Sequence, residues 1–206
     1  MRILFFPRSK VDNYLSAQFE TYRQMNGFQL CHYYPGHSLV FRYPDQLGGR
    51  VRKYVLEMRN DDREFLVAKM WYGHIGFEAD IVRVGDYTVV DMPWLGYDLK
   101  EVVKYFKEGK SHDLGFHGFT YGRASELISN TYSLLTDFEG RYNRVHTDFW
   151  VPGYDRPLNI LLHPDLDFFP FIDAESFASR NTGNVSRFYT NFKLFSNYVM
   201  DNLTID

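Results

Sequence analysis

The sequence contains a single cysteine, Cys31, and no long apolar segment. One cysteine cannot form an internal disulfide, so we expect folding in a reducing compartment and a cytoplasmic location. A run of about 18 apolar residues, which a membrane span requires, does not occur, so we expect no membrane span. The net charge of −3 provides no basic excess, so nucleic acid is not an expected partner.

Several motifs of common catalytic sites are also missing from the sequence. The Gly-x-Ser-x-Gly motif of hydrolases is absent, and the 7 histidines show no paired metal-binding spacing with the one cysteine. Aromatic residues are abundant instead, with 16 Tyr and 19 Phe. Because aromatic rings bury a large apolar area, we expect them to fill the core.

The first half of the sequence reads as one helix followed by strands. Apolar spacing predicts a helix from Ser9 to Met25. Between Phe28 and Pro93, short β-branched and aromatic runs alternate with turn residues, which is typical of antiparallel strands. The predicted strands are Phe28–Tyr34, Ser38–Tyr43, Val51–Met58, Phe65–Trp71, Ile81–Val84 and Tyr87–Met92.

After Pro93 the pattern becomes helical. We predict a helix that starts near Asp98, which forms a plausible capping pair with Glu101. Two further helices are predicted over Thr120–Glu139 and Asn184–Leu203. Between the last two, Asn159–Leu162 and Phe168–Ile172 are predicted to form a hairpin. The order predicts an α+β chain, with a strand-rich part over residues 1–93 and a helical part over residues 94–206.

Polar residues with the chemistry of phosphoryl transfer lie on loops beside this hairpin. They are His146-Thr147-Asp148, then Asn159, then Asp173-Ala174-Glu175. Phosphoryl transfer from ATP requires one carboxylate to orient the attacking hydroxyl. It also requires an amide and a second carboxylate to hold Mg²⁺ against the phosphates.

In this order the residues resemble the catalytic and metal-binding loops of the protein-kinase-like superfamily. The resemblance implies that Asp148 is the catalytic base and that Asn159 and Asp173 are Mg²⁺ ligands. Asn159 follows Asp148 by eleven positions, where the family has five, and the alternative register uses Asp155 as the base. Asp-Ala-Glu in place of Asp-Phe-Gly is similar to the small-molecule branch, such as aminoglycoside phosphotransferases.

The resemblance extends upstream to the nucleotide-binding part. Phe65-Leu66-Val67-Ala68-Lys69 resembles the Val-Ala-x-Lys strand, which implies that Lys69 binds the ATP phosphates. Its carboxylate partner would be Glu78 or, as the alternative, Glu20 of the N-terminal helix. Asp91 and Met92 would line the adenine-binding hinge. His37 and Ser38 would stand in the phosphate-covering loop, which carries one glycine in place of Gly-x-Gly-x-x-Gly.

The residues after Asp173 contain no Ala-Pro-Glu and do not leave room for a long activation segment. The chain therefore resembles minimal kinases, such as small bacterial effector kinases, which are delivered to a host cell, and lipopolysaccharide kinases. The implied fold is a minimal two-lobed one, with an antiparallel-sheet N-lobe and a reduced helical C-lobe.

The implied activity is an ATP- and Mg²⁺-dependent transfer of phosphate to a hydroxyl of a protein or a small molecule. The alternatives are a pseudokinase that binds nucleotide or protein without turnover, and an interaction protein without a nucleotide site.

Overall fold

The computed structural model describes residues 8–25, 27–34, 38–43, 49–56, 62–84, 87–117, 119–147, 149, 159–172 and 177–203. Asp148, Asp155, Asp173 and His37 lie outside the described residues. The described part is α+β, and it divides into two compact units, Met1–Trp94 and Leu95–Asp206. None of its helices is long and apolar enough to cross a membrane.

In its described residues, the first unit consists of a five-stranded antiparallel sheet with two helices. Its strands follow the order β1-β2-β3-β5-β4, and each neighbouring pair is antiparallel. The elements are α1 (Arg8–Arg23), β1 (Gln29–Tyr34), β2 (Ser38–Arg42), β3 (Arg50–Leu56), α2 (Asp62–His74), β4 (Asp80–Val84) and β5 (Tyr87–Pro93). The predicted first helix and five of the six predicted strands are confirmed, with ends shifted by one or two residues.

One face of this sheet packs against α1. Leu15 and Tyr22 of α1 join Leu39, Tyr54 and Val89 of the sheet in one buried cluster. Successive strand residues point to opposite faces, so the residues between these positions face away from α1. That second face is also largely covered, because its members Val51, Val90 and Met92 are all less than 9% exposed.

The predicted strand Phe65–Trp71 is wrong, because these residues belong to the helix α2. The buried residues of α2 and its end recur at the spacing of one helical face; they are Val67, Ala68, Trp71, Tyr72 and Ile75. Burial of that face outweighs the strand preference of a segment rich in aromatic and aliphatic residues. Lys69 lies on the exposed face of the helix, next to the 59% exposed Leu66.

The second unit is mainly helical. Its elements are β6 (Tyr97–Asp98), α3 (Leu99–Lys107), a 3₁₀ helix (Ser111–Leu114), α4 (Tyr121–Tyr142), β7 (Arg144–His146), β8 (Leu161–Leu162), β9 (Phe177–Ser179) and α5 (Thr182–Leu203). The caps follow the sequence: Asp98 accepts a hydrogen bond from the N–H of Lys100, and Thr120 from that of Arg123. The helix predicted over Thr120–Glu139 is confirmed as α4, but it continues to Tyr142 and is capped by Asn143 in the left-handed conformation.

Two short pairings hold the loops of this unit together. β7 pairs with β9, and β8 pairs with β6. The predicted hairpin is present, but its second strand is reduced to a bridge between Ile160 and Phe171. Residues 163–170 turn the chain between these two points.

Candidate functional site

The hairpin brings Asn159 next to the residue that precedes Asp173. The N–H of Ile172 donates to the carbonyl oxygen of Asn159 at 2.9 Å, and the N–H of Leu161 donates to that of Pro170 at 2.9 Å. Asn159 has a φ of 58°, a left-handed conformation that asparagine tolerates better than most side chains. Position 159 is therefore fixed by its backbone against the start of the predicted metal loop.

His146 connects the same point to the predicted catalytic loop. Its side chain is fully buried, and its Nε2 lies 3.2 Å from the carbonyl oxygen of Ile172. Since a carbonyl can only accept, Nε2 is the donor and carries the ring proton. The ring packs among Phe149, Phe171 and Phe177, with ring centroids 5.7, 5.3 and 4.8 Å away. A buried histidine in this role is a positioning residue rather than a metal ligand.

The pairing of β7 with β9 brackets the predicted metal loop. His146 lies opposite Phe177 in this ladder, so it contacts the chain on both sides of residues 173–176. On the other side of the site, Asn191 of α5 donates from Nδ2 to the carbonyl oxygen of Thr147 at 3.2 Å. That bond fixes the residue directly before Asp148.

The donor atoms near this junction fit magnesium. Asn159 would supply an amide oxygen, and Asp173, which follows Ile172 in the sequence but lies outside the described residues, would supply a carboxylate. The nearby His146 donates its Nε2 proton to a carbonyl, so the donor set consists of oxygen, which Mg²⁺ prefers. The described residues contain no group of three or more His, Cys, Asp or Glu side chains that could hold a metal ion, at this junction or away from it.

The residues predicted to bind the nucleotide lie on several different elements of the first unit. Lys69 lies on α2 and not in the sheet, and Glu78 is exposed between α2 and β4. Glu20 of α1 is exposed and lies 3.6 Å from Arg23. Ser38 begins β2, and Met92 is buried in β5.

Asp91 of β5, predicted to lie at the hinge, is held by two arginines of β3. Arg50 Nε lies 2.6 Å from Oδ1, and Arg52 Nη2 lies 2.6 Å from Oδ2. Arg50 also donates to the carbonyl oxygen of Asp91 at 2.9 Å. The Asp91 side chain is only 14% exposed, so this ion pair stabilises the pairing of β3 with β5.

The sheet carries a lysine, Lys53, that the motif at residues 65–69 did not select. Lys53 lies at the middle of β3, opposite Val40 on one side and Val90 on the other. It is half-buried and faces away from α1, because its neighbour Tyr54 belongs to the cluster that α1 covers. The sequence places Lys53 inside the predicted strand Val51–Met58. It does not indicate whether Arg52 or Lys53 lies on the face that α1 covers.

No protein-family model matches this chain, and no curated protein matches it either. Its function is therefore inferred from its residues and their geometry.

Proposed function

We propose that this chain is an ATP- and Mg²⁺-dependent phosphotransferase with a minimal two-lobed kinase-like fold, acting on a hydroxyl of a protein or small molecule. The observation that carries the proposal is the junction at Ile172. Its N–H binds the carbonyl of Asn159 and its carbonyl accepts from His146. These two bonds join the three segments that contain Asp148, Asn159 and Asp173.

In this proposal each segment has a separate task. Asp148 orients the attacking hydroxyl and accepts its proton, while Asn159 and Asp173 would hold Mg²⁺. When bound, the ion neutralises charge on the phosphates. His146 keeps the two loops together. Most of the rate enhancement then comes from positioning and electrostatics, since phosphoryl transfer asks little covalent chemistry of the protein.

We assign the phosphate-binding role to Lys53 in place of Lys69. Lys53 is half-buried on the sheet between two valines, whereas Lys69 is exposed on α2. A partly desolvated ammonium interacts more strongly with phosphate than an exposed one does, because the local dielectric constant is lower.

The test is transfer of the γ-phosphate from ATP to a panel of proteins and hydroxylated small molecules, and to the chain itself. Lys53→Met and Asp173→Asn are compared with the matched exposed controls Lys69→Met and Asp165→Asn. We expect losses of about hundredfold or more for the first pair and wild-type rates for the controls. Equal activity in all variants would sink the proposal, and a loss in Lys69→Met alone would return the role to Lys69.

A nucleotide-binding module without turnover is the second candidate. It is favoured by the position of Lys69 outside the sheet, which removes the lysine that the sequence motif indicated. A rise in Tm with Mg²⁺-ATP, lost in Lys53→Met and unaccompanied by transfer to any acceptor, would select this candidate.

A further inference from the structure

We propose that the second unit contains a binding pocket for a small organic anion with an aromatic or short apolar body. The pocket has a volume of about 220 Å³ and lies between the end of the 3₁₀ helix, the first turns of α4 and the turn after β8. It shares no lining residue with the proposed phosphotransfer site, and the inference does not depend on that function.

The apolar part of the pocket is a wall of packed aromatic rings. Phe116 and Phe119 meet edge to face with centroids 6.4 Å apart. Both rings also contact Phe106, at 5.8 and 5.4 Å. Leu127 of α4 is 1% exposed and completes the wall. Such a wall suits a flat ring, since aromatic pairs gain from stacked or edge-on contacts.

The polar part of the pocket is entirely basic or neutral. Among the described residues that line it, the side chains with hydrogen-bonding groups are Arg123, His117 and His163, and none is acidic. Arg123 Nη1 donates to Glu126 at 2.9 Å, and Nη2 donates to the carbonyl of Leu166 at 3.0 Å. These bonds hold the guanidinium in place and use two of its five N–H donors.

His163 also lines the pocket. Its Nδ1 accepts the N–H of Asp165 at 3.1 Å, so the ring proton of the neutral imidazole is on Nε2. The carboxylate of Asp165 lies 4.0 Å from Nδ1, but that side chain is 88% exposed and its charge is screened by water. The carboxylate that pairs with Arg123, on Glu126, is 57% exposed and likewise screened, so the pocket favours a negatively charged group.

The size of the pocket suits a ligand part of one ring. A cavity of about 150 Å³ accommodates benzene, whereas pockets for drug-sized ligands start near 300 Å³. A ring with one carboxylate or one phosphate group fits between these limits. A nucleotide or a folded peptide segment would extend beyond the pocket.

The experiment is a ¹⁹F NMR titration of the full chain with 4-fluorobenzoate, 4-fluorophenyl phosphate and the neutral 4-fluorobenzamide. We expect dissociation constants of roughly 1 mM or lower for at least one anion and much weaker binding of the amide. The tighter anion assigns the headgroup as carboxylate or phosphate. Equal binding of the amide and both anions would overturn the proposal.

Matched variants locate the site. Arg123→Gln should weaken anion binding by about tenfold or more, because it removes a charged donor. Arg141→Gln is the control on the same helix, since Arg141 also pairs with a nearby carboxylate, that of Asp137 at 2.9 Å. Equal losses in both variants, or none in either, would contradict the proposal.

Amide chemical-shift mapping of the wild-type chain keeps the test independent of variant folding. Shifts confined to residues 115–117, 119–127 and 163–166 support the pocket. Shifts centred on Asn159 and Ile172 would assign the anion to the phosphotransfer site and refute this inference.

Discussion

At the scale of single residues, Asp91 is the acidic centre of a charge cluster with two arginines of β3. Its two carboxylate oxygens each lie 2.6 Å from an arginine nitrogen, of Arg50 and Arg52. Arg52 in turn donates to the hydroxyl of Tyr22 on α1 at 3.3 Å, so the carboxylate links strand pairing to the helix that covers the sheet.

We predict that Asp91→Asn lowers the free energy of unfolding by about 2 kcal/mol, because it leaves two partly buried guanidinium groups without their counter-charge. The measurement is urea denaturation. Asp80→Asn is the control, since that carboxylate is 88% exposed and lies 3.9 Å from Arg50. A similar small change in both variants would show that the two arginines are satisfied by water.

Asn159 and Asn143 offer a second test at this scale. Both adopt the left-handed conformation, with φ of 58° and 55°, and glycine reaches this region without a steric penalty. We expect Asn159→Gly to keep the fold but to lose phosphotransfer and to require more Mg²⁺, because only its amide is removed. Asn143→Gly should leave both unchanged. If the two glycine variants transfer phosphate alike, Asn159 is not a metal ligand.

At the scale of elements, Thr131 joins α4 to the hairpin. The side chain is 1% exposed; its hydroxyl donates to the carbonyl of Leu127 at 2.6 Å and accepts the N–H of Phe169 at 2.8 Å. We predict that Thr131→Val costs about 2 kcal/mol of stability, because a buried N–H loses its acceptor. Thr136→Val is the matched control, since the hydroxyl of that partly buried threonine donates to carbonyl oxygens within α4. Circular dichroism during urea unfolding measures both, and equal costs would contradict the role of Thr131.

The elements also show what the sequence could and could not predict. The strands of the first sheet follow from turn residues and alternation, and α5 follows from its 3.6-residue spacing. The segment Asp62–His74 was wrongly predicted in part as a strand, because Phe65 to Trp71 is dense in apolar residues over a length that both element types allow. The buried stripe appears only when the window extends to Ile75.

The hairpin that carries Asn159 could be predicted from local sequence. The hairpin holds Asn159 against Ile172 through short-range backbone bonds, and its turn residues are visible in the sequence. The assignment of Lys53 depends on long-range strand pairing instead. A local motif selected Lys69, which lies on α2. The place of Lys53 in the sheet depends on the pairing of β3 with β2 and β5, which a local motif does not contain.

At the scale of the whole molecule, each unit has its own buried core. The first is built from Leu15, Leu39, Phe41, Tyr54 and Val89 on the side of α1. The second is dominated by phenylalanines that are at most 1% exposed; they are Phe138, Phe149, Phe169, Phe171, Phe188 and Phe195. Separate cores allow separate opening, because local stability follows local burial.

We therefore predict that truncating a core residue loosens only its own unit. Leu39 in the first unit is 0% exposed and Leu135 in the second is 3% exposed. We expect Leu39→Ala and Leu135→Ala each to lower the free energy of unfolding by about 3 kcal/mol. Hydrogen exchange followed by mass spectrometry should show faster exchange in residues 8–94 for the first variant and in residues 95–203 for the second. The exposed leucines Leu66 and Leu194 provide the Leu→Ala controls, with little change expected. Faster exchange across both units in either core variant would show that the chain unfolds as one cooperative body.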